Sequence, residues 1–593
     1  MKKYKCDVLV VGGGLGGVSA ALKATSLGAT VMMTEETGWI GGQLTTQAVS
    51  CLDEHPIIET FGGTANYYDM RNRVRQYYRT TYKLSEKAKN EKLFNPGASG
   101  KRICFEPKVG VKVLNDMVKR YITSGQLEIY YHTVANKVIR TSNLIKSVEL
   151  LNTETNKRTL VSPKYVIDAT ELGDLLPLAH IPYRTGVESF AETREPSAPD
   201  QAIPMANQGF TFPFAVEWCP GENHTIPKPP LYNEIRKHYP FTFNGLKMFK
   251  KARFNSSFWE YRRIVAAENF NDPRIKRDIS LINWISNDYH TETIIDQPKD
   301  TVDHHLYRAK QLSLSFLYWL QTEAPRDEGG YGYPELKLRP DIVGTSDGLS
   351  HYPYIRESRR IKSLSMIKEQ DIVSNFNNGI SRSRYLYDSV GLGTYLYIDI
   401  HPCSHTKERK GSGQTIRPFQ LPMGALLTSE ITNFIAGSKN IGTTHITNGT
   451  CRLHPIEWTI GEAAGCLAAY CIKHNKSPMD VYETKSLLKE YQLVLLKTGV
   501  PLFWYIDLPL EHENFIAVQY LTLEGILTPS ANDLYFYPNK PLTDKELDHW
   551  IRANRRIRFS PNHLAHLKEK ANHLNRGQFA QYLYTFLLEK KKL

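Results

Sequence analysis

A glycine cluster between a predicted strand and a predicted helix is the feature that most constrains the fold of this chain. Residues 7 to 11 form a short apolar run rich in valine, which predicts a buried strand. Gly12, Gly14 and Gly17 follow with the spacing G-x-G-x-x-G, and a helical pattern continues to about Leu27. In this motif the first glycine permits a tight turn, the second lets backbone approach a pyrophosphate, and the third lets the helix lie close to the strand. The sequence therefore predicts a dinucleotide site at the start of the helix, where unpaired N–H groups point outward.

The second strand supplies the carboxylates that such a site needs. Gly28 ends the helix, and residues 29 to 34 predict a strand that finishes in Glu35 and Glu36. A carboxylate at this position accepts hydrogen bonds from the two hydroxyls of a ribose. A glycine-rich turn in an unrelated α/β protein is the alternative, but it gives no reason for Glu35. The residues between the glycines are expected to contact the cofactor as well: Leu15 and Gly16.

The residues after the second strand favour a flavin over a nicotinamide. Residues 39 to 47 combine a glycine pair with small hydroxyl and amide side chains, which suit a ribityl and phosphate chain. Here the chain resembles the FAD-dependent oxidoreductases of the glutathione-reductase-type flavoprotein class. It is most similar to the bacterial family usually called FAD-dependent oxidoreductase, a distant relative of the fumarate reductase flavoproteins. The resemblance implies FAD as the cofactor, and the contacts expected in this stretch are Gly41, Gly42, Gln43 and Thr45.

A second cofactor segment is predicted at residues 165 to 174, where an apolar strand ends in small residues and an acid. Small side chains let backbone pass close to the cofactor, and a carboxylate accepts a hydrogen bond from a ribityl or ribose hydroxyl. The segment resembles the A-T-G/G-D stretch of the family, with Glu171 and Leu172 inserted where simpler relatives have glycine at once. In flavoproteins of this class an earlier strand contacts adenine, and by position Thr133 and Val134 are the candidates. The contacts expected from the segment itself are Ala169, Thr170, Gly173 and Asp174.

A third segment, residues 437 to 475, resembles the closing motif of the family. A helix is predicted to start at Pro455, since proline suits the first helical turn, and its glycines and alanines give it a smooth face for packing on the sheet. The positive end of this helix would point at the flavin and stabilise negative charge there. The resemblance places Arg452 and His454 near the flavin ring and makes Gly437 and Gly461 cofactor contacts.

An arginine-rich stretch, residues 353 to 361, is a candidate for substrate binding. Arg356, Arg359 and Arg360 stand at helical spacing, which places two guanidinium groups on one face. Arginine forks bind carboxylate or phosphate in two-pronged fashion. Composition alone favours surface ion pairs with Glu357, but the stretch resembles the R-E-[SA]-R-R-I segment of the family. That resemblance implies a structural or active-site role near the flavin.

An acid–base pair is predicted further along the chain. Residues 397 to 403 alternate like a strand, which puts Tyr397, Asp399 and His401 on one face. An imidazole tuned by a carboxylate is the default proton acceptor near neutral pH. A satisfied buried histidine is the alternative, and the family's D-[LIV]-H segment at this point favours the acid–base role.

The expected fold class is α/β, with a Rossmann-like FAD-binding domain, an inserted mixed α+β substrate domain and a small helical C-terminal module. The FAD domain is expected to be discontinuous, formed by residues 1–180 and 401–475. The substrate domain would fill residues 181–400, which are rich in aromatic residues and proline. Residues 476–593 resemble an S-layer-homology-like repeat, and one and a half such repeats favour an interaction or homodimerisation role over cell-wall anchoring.

The bulk composition adds further limits. The 593 residues carry a net charge of +13, which favours anionic partners, but the excess is spread along the chain. The sequence contains no run of about 18 apolar residues, so we expect no membrane span. We interpret the apolar stretch near the N-terminus as the first strand rather than as a signal peptide. The eight cysteines are scattered without metal-ligand spacing, so we expect reduced thiols, no metal and a cytoplasmic location.

Together these segments predict an FAD-dependent oxidoreductase that oxidises a small polar or anionic substrate by hydride transfer to flavin N5. His401 or His454 would take a proton, and Arg356, Arg359 and Arg452 would orient the substrate. No second G-x-G-x-x-G follows a strand, so electrons would pass on to oxygen, a quinone or a protein acceptor. One alternative is a flavin-dependent tRNA-modifying protein, which the basic balance supports but no RNA-binding motif does. Another is a flavin-bound scaffold without catalysis.

Overall fold

The computed structural model describes residues 2–97, 103–252, 255–376, 380–552 and 560–589. Strands and helices alternate around a largely parallel sheet, which confirms the expected mixed α/β architecture. None of the helices in these ranges is both long and apolar enough to cross a membrane.

The strands are β1 (Lys2–Val11), β2 (Val31–Thr34), β3 (Leu127–Tyr130), β4 (Thr133–Thr141), β5 (Leu144–Asn152), β6 (Arg158–Asp168), β7 (Tyr183–Arg184), β8 (Phe214–Trp218), β9 (Arg263–Val265), β10 (Ile279–Ile282), β11 (Leu336–Leu338), β12 (Arg360–Ile361), β13 (Ser389–Gly393), β14 (Phe419–Pro422) and β15 (Phe434–Ala436).

The α-helices are α1 (Leu15–Ser26), α2 (Ala65–Thr81), α3 (Glu86–Asn90), α4 (Pro107–Thr123), α5 (Leu175–Leu178), α6 (Phe190–Thr193), α7 (Tyr232–His238), α8 (Phe258–Tyr261), α9 (Lys299–Thr322), α10 (Pro340–Val343), α11 (Glu369–Ile372), α12 (His445–Cys451), α13 (His454–His474), α14 (Pro478–Glu483), α15 (Lys485–Lys497), α16 (Phe515–Leu523), α17 (Asp544–Arg552), α18 (Pro561–Ala571) and α19 (Arg576–Glu589).

A seven-stranded sheet positions the cofactor segments. Its order is β3-β2-β1-β6-β5-β4, and β15 pairs with the end of β6. The pairs β1–β2, β2–β3, β1–β6 and β15–β6 are parallel, whereas β5 runs antiparallel to both of its neighbours, β4 and β6. The parallel strands therefore end at one edge, where the glycine turn, Glu35 and residues 169–174 come together. This carboxyl edge is where sheets of this type bind ligands.

Helix α13 crosses helix α1 in close contact. A Cβ on Gly461 would collide with the carbonyl oxygen of Gly16, and a Cβ on Gly465 would collide with that of Ala20. We predicted that this smooth face packs on the sheet, and that is wrong, because α13 makes most of its contacts with α1. Glycine is needed here because two helix backbones touch, and a backbone cannot move aside as a side chain can.

Two hydrophobic cores organise the chain. The second core is formed by residues from Phe210 to Ile355 in the sequence and is rich in aromatic residues. It surrounds the four-stranded sheet β11-β8-β10-β9 and helix α9. The first core extends from the central sheet to Leu587. Helices α15, α16 and α19 therefore contribute side chains to the same core as the Rossmann-type sheet.

Cys51 and Cys104 form a disulfide, which corrects the prediction that all the cysteines are thiols. The two residues face each other across an antiparallel bridge, and Leu52 N–H donates to Ile103 O beside them at 3.1 Å. They stand 53 residues apart, so their spacing has no recognisable pattern. The other cysteines, at positions 6, 219, 403, 451, 466 and 471, are buried free thiols.

The arginine-rich stretch is extended, which corrects the prediction of helical spacing. Tyr354 exchanges backbone hydrogen bonds with Thr211, and β12 pairs with β7. In extended chain, residues an odd number of positions apart point to opposite sides. Arg356 and Arg359 consequently reach different parts of the molecule.

Candidate active site

A first cavity, of about 100 Å³, opens at the carboxyl edge of the central sheet. The glycine turn after β1 borders it, together with the end of β2, the start of β4 and the turn after β6. The predicted cofactor residues that line it are Gly12, Gly14, Glu35, Glu36, Gly42, Val134, Ala169, Thr170 and Asp174.

The glycine turn has the geometry that the motif requires. Gly12 adopts a φ of +101°, a conformation that favours glycine, and a Cβ there would collide with the carbonyl oxygen of Ala169. A Cβ on Gly17 would collide with the carbonyl oxygen of Gly12. Helix α1 begins at Leu15, directly after the glycines that line the cavity, so the cavity lies at the N-terminal end of this helix.

Glu35 lies at the end of β2 with only 5% of its surface exposed. Its Oε1 accepts hydrogen bonds from the Thr37 N–H at 2.8 Å and the Thr37 hydroxyl at 2.6 Å. Burial raises the pKa of Glu35 to about 7. The neighbouring Glu36 lines the same cavity from a solvent-exposed position. A carboxylate that is buried at this place gains from any further hydroxyl donor.

The remaining predicted cofactor residues shape the cavity from behind. Gly41 N–H donates to Gly13 O at 2.7 Å, and the Thr45 hydroxyl donates to a carbonyl five residues earlier at 2.7 Å. Gly173 turns the chain with a φ of +67°. The other predicted residues lie at or next to the contact of α1 with the loop after β15 and with helix α13. They are Leu15, Gly16, Gly17, Gly437 and Gly461.

A buried polar cluster joins the start of α1 to the start of α13. Lys439 is ion-paired with Glu171 and, at 3.3 Å, with Glu457 in the first turn of α13. Gly16 N–H donates to Glu457 Oε1 at 3.4 Å. Gln43 Nε2 donates to Glu457 Oε2 at 2.6 Å and to the carbonyl of residue 452 at 3.1 Å. The two carboxylates raise the pKa of Lys439 against the opposing effect of its burial.

These residues fit a flavin dinucleotide. Within the described ranges, the buried polar atoms without a hydrogen-bond partner include three at or beside the lining of the first cavity: Glu171 Oε1 on the lining itself, and Gln43 Oε1 and Gln47 Nε2 next to the lining residues Gly42 and Thr46. Unpaired buried polar atoms cost free energy, and a cofactor rich in hydroxyl, amide and imide groups would satisfy them. The glycine turn would hold the pyrophosphate, and Glu35 would hold the ribose.

A second cavity has a volume of about 170 Å³, and Arg409 lies at its exposed rim. Residues 352 to 356 border both cavities, because Tyr352 lines the first whereas Tyr354 and Arg356 line the second. Three other predicted residues line it as a group: Asp399, His401 and Arg452.

Ion pairs dominate the walls of the second cavity. Arg262 lies 3.3 Å from Asp53, and Arg452 lies 3.0 Å from Asp399. Arg452 also donates to the Tyr354 hydroxyl at 2.6 Å. These arginines are buried, so each guanidinium is held in one position by its partners.

His401 lies between two carboxylates. Its Nδ1 is 2.5 Å from Asp288 Oδ2, and its Nε2 is 3.5 Å from Asp399 Oδ2. Asp288 is fully buried and also contacts Arg356 at 2.9 Å. Burial alone would raise the pKa of Asp288, but the charges of Arg356 and His401 lower it to about 2. An ionised Asp288 therefore holds the imidazole with Nε2 directed toward Asp399.

Two predicted catalytic residues lie outside the residues that line the second cavity. His454 accepts the Asp53 N–H at Nδ1, 3.2 Å away, and donates from Nε2 to Val49 O at 2.9 Å. Both ring nitrogens of His454 are therefore engaged in hydrogen bonds with backbone groups. Arg359 pairs with Asp174 at 3.0 Å and Asp296 at 2.9 Å, which places it beside the first cavity.

Sequence reasoning missed several lining residues. Arg262 and Trp284 line the second cavity, and Asp288 pairs with the lining residue His401. All three come from the aromatic-rich region between α8 and α9, and no motif marks them. Tyr352, which lines the first cavity, directly precedes the arginine-rich stretch, residues 353 to 361. The other missed residues can be recognised only from the folded structure, where packing of the second core brings α8 and β9 next to the domain that contains the glycine motif.

Cys219, Glu222 and His224 also lie close together, with ligand atoms within 4.8 Å of one another. Arg277 donates to Glu222 at 2.5 Å, so a guanidinium already neutralises this carboxylate. The cluster lines neither of the two cavities. The absence of a metal stays a prediction.

The glycine turn, its carboxylate and the parallel sheet define the class: a dinucleotide-binding redox enzyme of Rossmann type. The particular family follows from the sequence taken as a whole, because the sequence model of the family described as "FAD dependent oxidoreductase" matches residues 7–494. The chain therefore belongs to the FAD-dependent oxidoreductase family, and its cofactor is FAD. None of the curated proteins matches the chain.

Solved structures resemble the chain at low identity. A geranylgeranyl bacteriochlorophyll reductase-like protein from Thermoplasma acidophilum is 11% identical with a TM-score of 0.32, over 96% of this chain and 100% of that one. The p-nitrophenol 4-monooxygenase of Pseudomonas putida is 10% identical with a TM-score of 0.31, over 100% and 98%. The L-proline dehydrogenase from P. horikoshii is 20% identical with a TM-score of 0.17, over 28% of this chain and 23% of that one. This chain thus spans about a quarter of that dehydrogenase, and at these TM-scores the likeness carries no argument about activity.

Proposed function

We propose that this enzyme oxidises a small polar substrate at a carbon that bears a hydroxyl or amine group, with the substrate held in the second cavity. The observation that carries the proposal is the pair formed by His401 and the buried Asp288. His401 lines the second cavity, and Asp288 holds its imidazole from the side of the protein interior. Residues 352 to 356 border both this cavity and the dinucleotide cavity. The substrate would then lie next to the redox-active end of the cofactor, which supplies the hydride acceptor when bound.

His401 would take the proton that the substrate hydroxyl loses. Asp288 accepts a hydrogen bond from Nδ1 of His401, so Nε2 of His401 is the nitrogen that faces Asp399. A base held in one tautomer by a buried carboxylate needs no rearrangement before it accepts a proton. Asp399 is itself paired with Arg452, so the second carboxylate can accept a substrate hydroxyl without taking the proton from His401.

Arg452 and Tyr354 would fix the orientation of the substrate. The guanidinium of Arg452 contacts both the Tyr354 hydroxyl and Asp399, and these groups share one wall of the cavity. Arg356 acts mainly from behind, because it donates to Gly209 O at 2.7 Å and the Thr211 hydroxyl at 3.0 Å as well as pairing with Asp288. Holding the reacting carbon in place is one of the larger sources of rate enhancement.

Several finer expectations stay predictions. These are hydride transfer to flavin N5 with oxygen, a quinone or a protein as the final acceptor, a homodimer, the inserted and C-terminal domains, the similarity to glutathione-reductase-type and fumarate reductase flavoproteins, and the S-layer-homology-like character of residues 476–593. The packing of α15, α16 and α19 into the main core supports a structural role for the last segment.

An anaerobic screen tests the proposal. FAD-loaded protein is mixed with alcohols, sugars, hydroxy acids and amino acids, and loss of the flavin absorbance is followed. We expect at least one compound to bleach the flavin and His401→Gln to slow bleaching by about 10²-fold or more with unchanged FAD content. His238→Gln, on the exposed end of α7, is the matched control. Equal bleaching rates in His401→Gln and the control would remove His401 from the mechanism.

A further inference from the structure

We infer that the second cavity binds an uncharged polyhydroxylated ring, such as a neutral sugar or cyclic polyol, rather than an anion. The inference rests on the proposed function, since the ring that binds there is the compound that would be oxidised. It goes beyond that function by choosing one chemical class among the polar and anionic substrates that the sequence leaves open.

The charges around the cavity compensate one another. Arg262 faces Asp53, Arg356 faces Asp288, and Arg452 faces Asp399, with closest distances of 3.3, 2.9 and 3.0 Å. Three guanidinium groups are therefore matched by three carboxylates. His401 touches two of these same carboxylates, so the interior carries no pair of arginines left over for a ligand carboxylate.

This compensation disfavours an anionic ligand. An anion that enters the cavity gives up its water and meets guanidinium groups whose field is already cancelled by nearby carboxylates. The same pairs suit hydroxyl groups, because a guanidinium only donates, a carboxylate only accepts, and a hydroxyl does both. Alternating donors and acceptors at fixed distances match neighbouring hydroxyls on a ring.

Aromatic rings form part of the remaining walls, together with the side chains of Asn244 and Asn283, whose amides can both donate to and accept from hydroxyl groups. Tyr261 and Trp284 contact each other with ring centroids 5.5 Å apart, and Tyr395 and Tyr397 do so at 5.6 Å. The Trp284 indole N–H donates to Thr242 O at 2.9 Å, so its polar atom is engaged with protein and the ring itself remains as apolar surface. Sugars present C–H groups on their ring faces and hydroxyls around their edge, which matches aromatic surface beside ion pairs.

The size of the cavity agrees with this class. Its volume of about 170 Å³ is the space of roughly six water molecules, enough for one small ring. Tyr397 is 40% exposed, and Arg409 is exposed at the rim, so the cavity opens to solvent on that side. The charged groups that compensate one another lie deeper than this rim.

Direct binding tests the inference independently of turnover. FAD-loaded protein is titrated calorimetrically with neutral monosaccharides and cyclic polyols, and separately with uronates and α-hydroxy acids, at low and high salt. We expect a neutral ring to bind with an affinity that changes less than twofold with salt, because no charge is transferred. Trp284→Ala should weaken that binding by about tenfold, and Trp284→Phe should retain most of it. Tyr331→Ala, which removes an aromatic side chain that is 77% exposed away from the cavity, is the matched control.

The outcomes separate the inference from the proposed function. Tighter binding of uronates or hydroxy acids, with affinity that falls steeply in salt, would overturn the inference while leaving an oxidase or dehydrogenase function intact. Binding of neutral rings that depends on Trp284 but never bleaches the flavin would support the inference and count against the proposed function. If neutral rings do not bind at all, or bind equally well to Trp284→Ala, the inference is wrong.

Discussion

His401 Nδ1 lies 2.5 Å from Asp288 Oδ2, although the two residues are 113 positions apart in the chain. Asp288 is held in turn by Arg356 at 2.9 Å and by the Thr211 hydroxyl. The imidazole is thus fixed by a carboxylate that belongs to the aromatic-rich core, whereas His401 belongs to a segment that returns toward the central sheet. A proton acceptor assembled in this way depends on the docking of the two cores.

We expect Asp288→Asn to slow substrate oxidation by about 10²-fold, since the amide can no longer stabilise the protonated imidazole and can hold it in the wrong tautomer. Because Asp288 is a positioning residue, the informative measurement is the rate of anaerobic flavin bleaching as a function of pH. The shape of this profile should change once the carboxylate that contacts the imidazole is replaced by an amide. Asp303→Asn, on the exposed face of α9, is the control, and a rate profile unchanged in shape in Asp288→Asn would argue against this role.

The cofactor cradle predicts a selective loss of FAD from Gly14→Val. Gly14 is extended, and a Cβ there would meet the end of the Glu171 side chain at 2.5 Å, which can move, so the fold should survive. The added methyl groups would fill the space in front of the N-terminus of α1 that the pyrophosphate needs. We expect the purified variant to be colourless, with far-UV circular dichroism like that of wild type. Gly38→Val, where an added Cβ makes ordinary contacts at 3.4 Å, should stay yellow, and equal FAD content in both variants would contradict the assignment.

The cofactor half of the site could be predicted from sequence because its parts are local. Gly12 needs its glycine for a positive φ, and Glu35 stands at a fixed distance along the chain from that turn. The substrate half could not be predicted in the same way. Asp288 and Arg262 pair with residues that are distant in sequence, and a pairing across two cores leaves no periodic or spaced pattern.

The arginine-rich stretch shows how a local rule fails. Three arginines with helical spacing lie in extended chain, because Tyr354 pairs with Thr211 and β12 pairs with β7. Tertiary pairing overrides the weak preference of a short polar segment. The identity of the residues was informative, since Arg356 does line the second cavity, but the geometry inferred from their spacing was wrong.

The contact between α1 and α13 gives a prediction opposite in sign to helix propensity. In an exposed helix, glycine to alanine is worth up to about 1 kcal/mol of stabilisation. Gly461→Ala should instead destabilise the protein by roughly 1–3 kcal/mol or more, because its Cβ would meet the carbonyl oxygen of Gly16. Urea unfolding measures the difference, with Lys473→Ala at the exposed end of the same helix as the control. A Gly461→Ala variant as stable as wild type would mean that the two helices are farther apart.

The disulfide fixes the number of free thiols that chemical titration should find. Two of the eight cysteines are bonded, so thiol titration of the unfolded protein without reductant should find six thiols, and eight after reduction. The bond joins residues 53 apart, and in the chain-entropy account a loop of this length contributes about 4 kcal/mol of stability. The double variant Cys51→Ala, Cys104→Ala should unfold at correspondingly lower urea, whereas Cys219→Ala should still yield a bonded pair. Eight titratable thiols before reduction would show that the two sulfurs are not bonded.

Glu35 gives the FAD-free protein a pH-dependent stability. Its pKa is raised by burial from an ordinary 4.5 to about 7, so the folded protein holds this proton more tightly than the unfolded chain does. Stability from this group is fully present below about pH 4.5 and is lost as pH rises through 7, by about 3 kcal/mol in total. Urea unfolding of FAD-free protein at a series of pH values measures the slope, and Glu35→Gln should flatten it, whereas Glu91→Gln at an exposed site should not. Ribose hydroxyls that donate to Glu35 favour its ionised form, so FAD should reduce the slope as well. A slope that Glu35→Gln leaves unchanged would place the titrating group elsewhere.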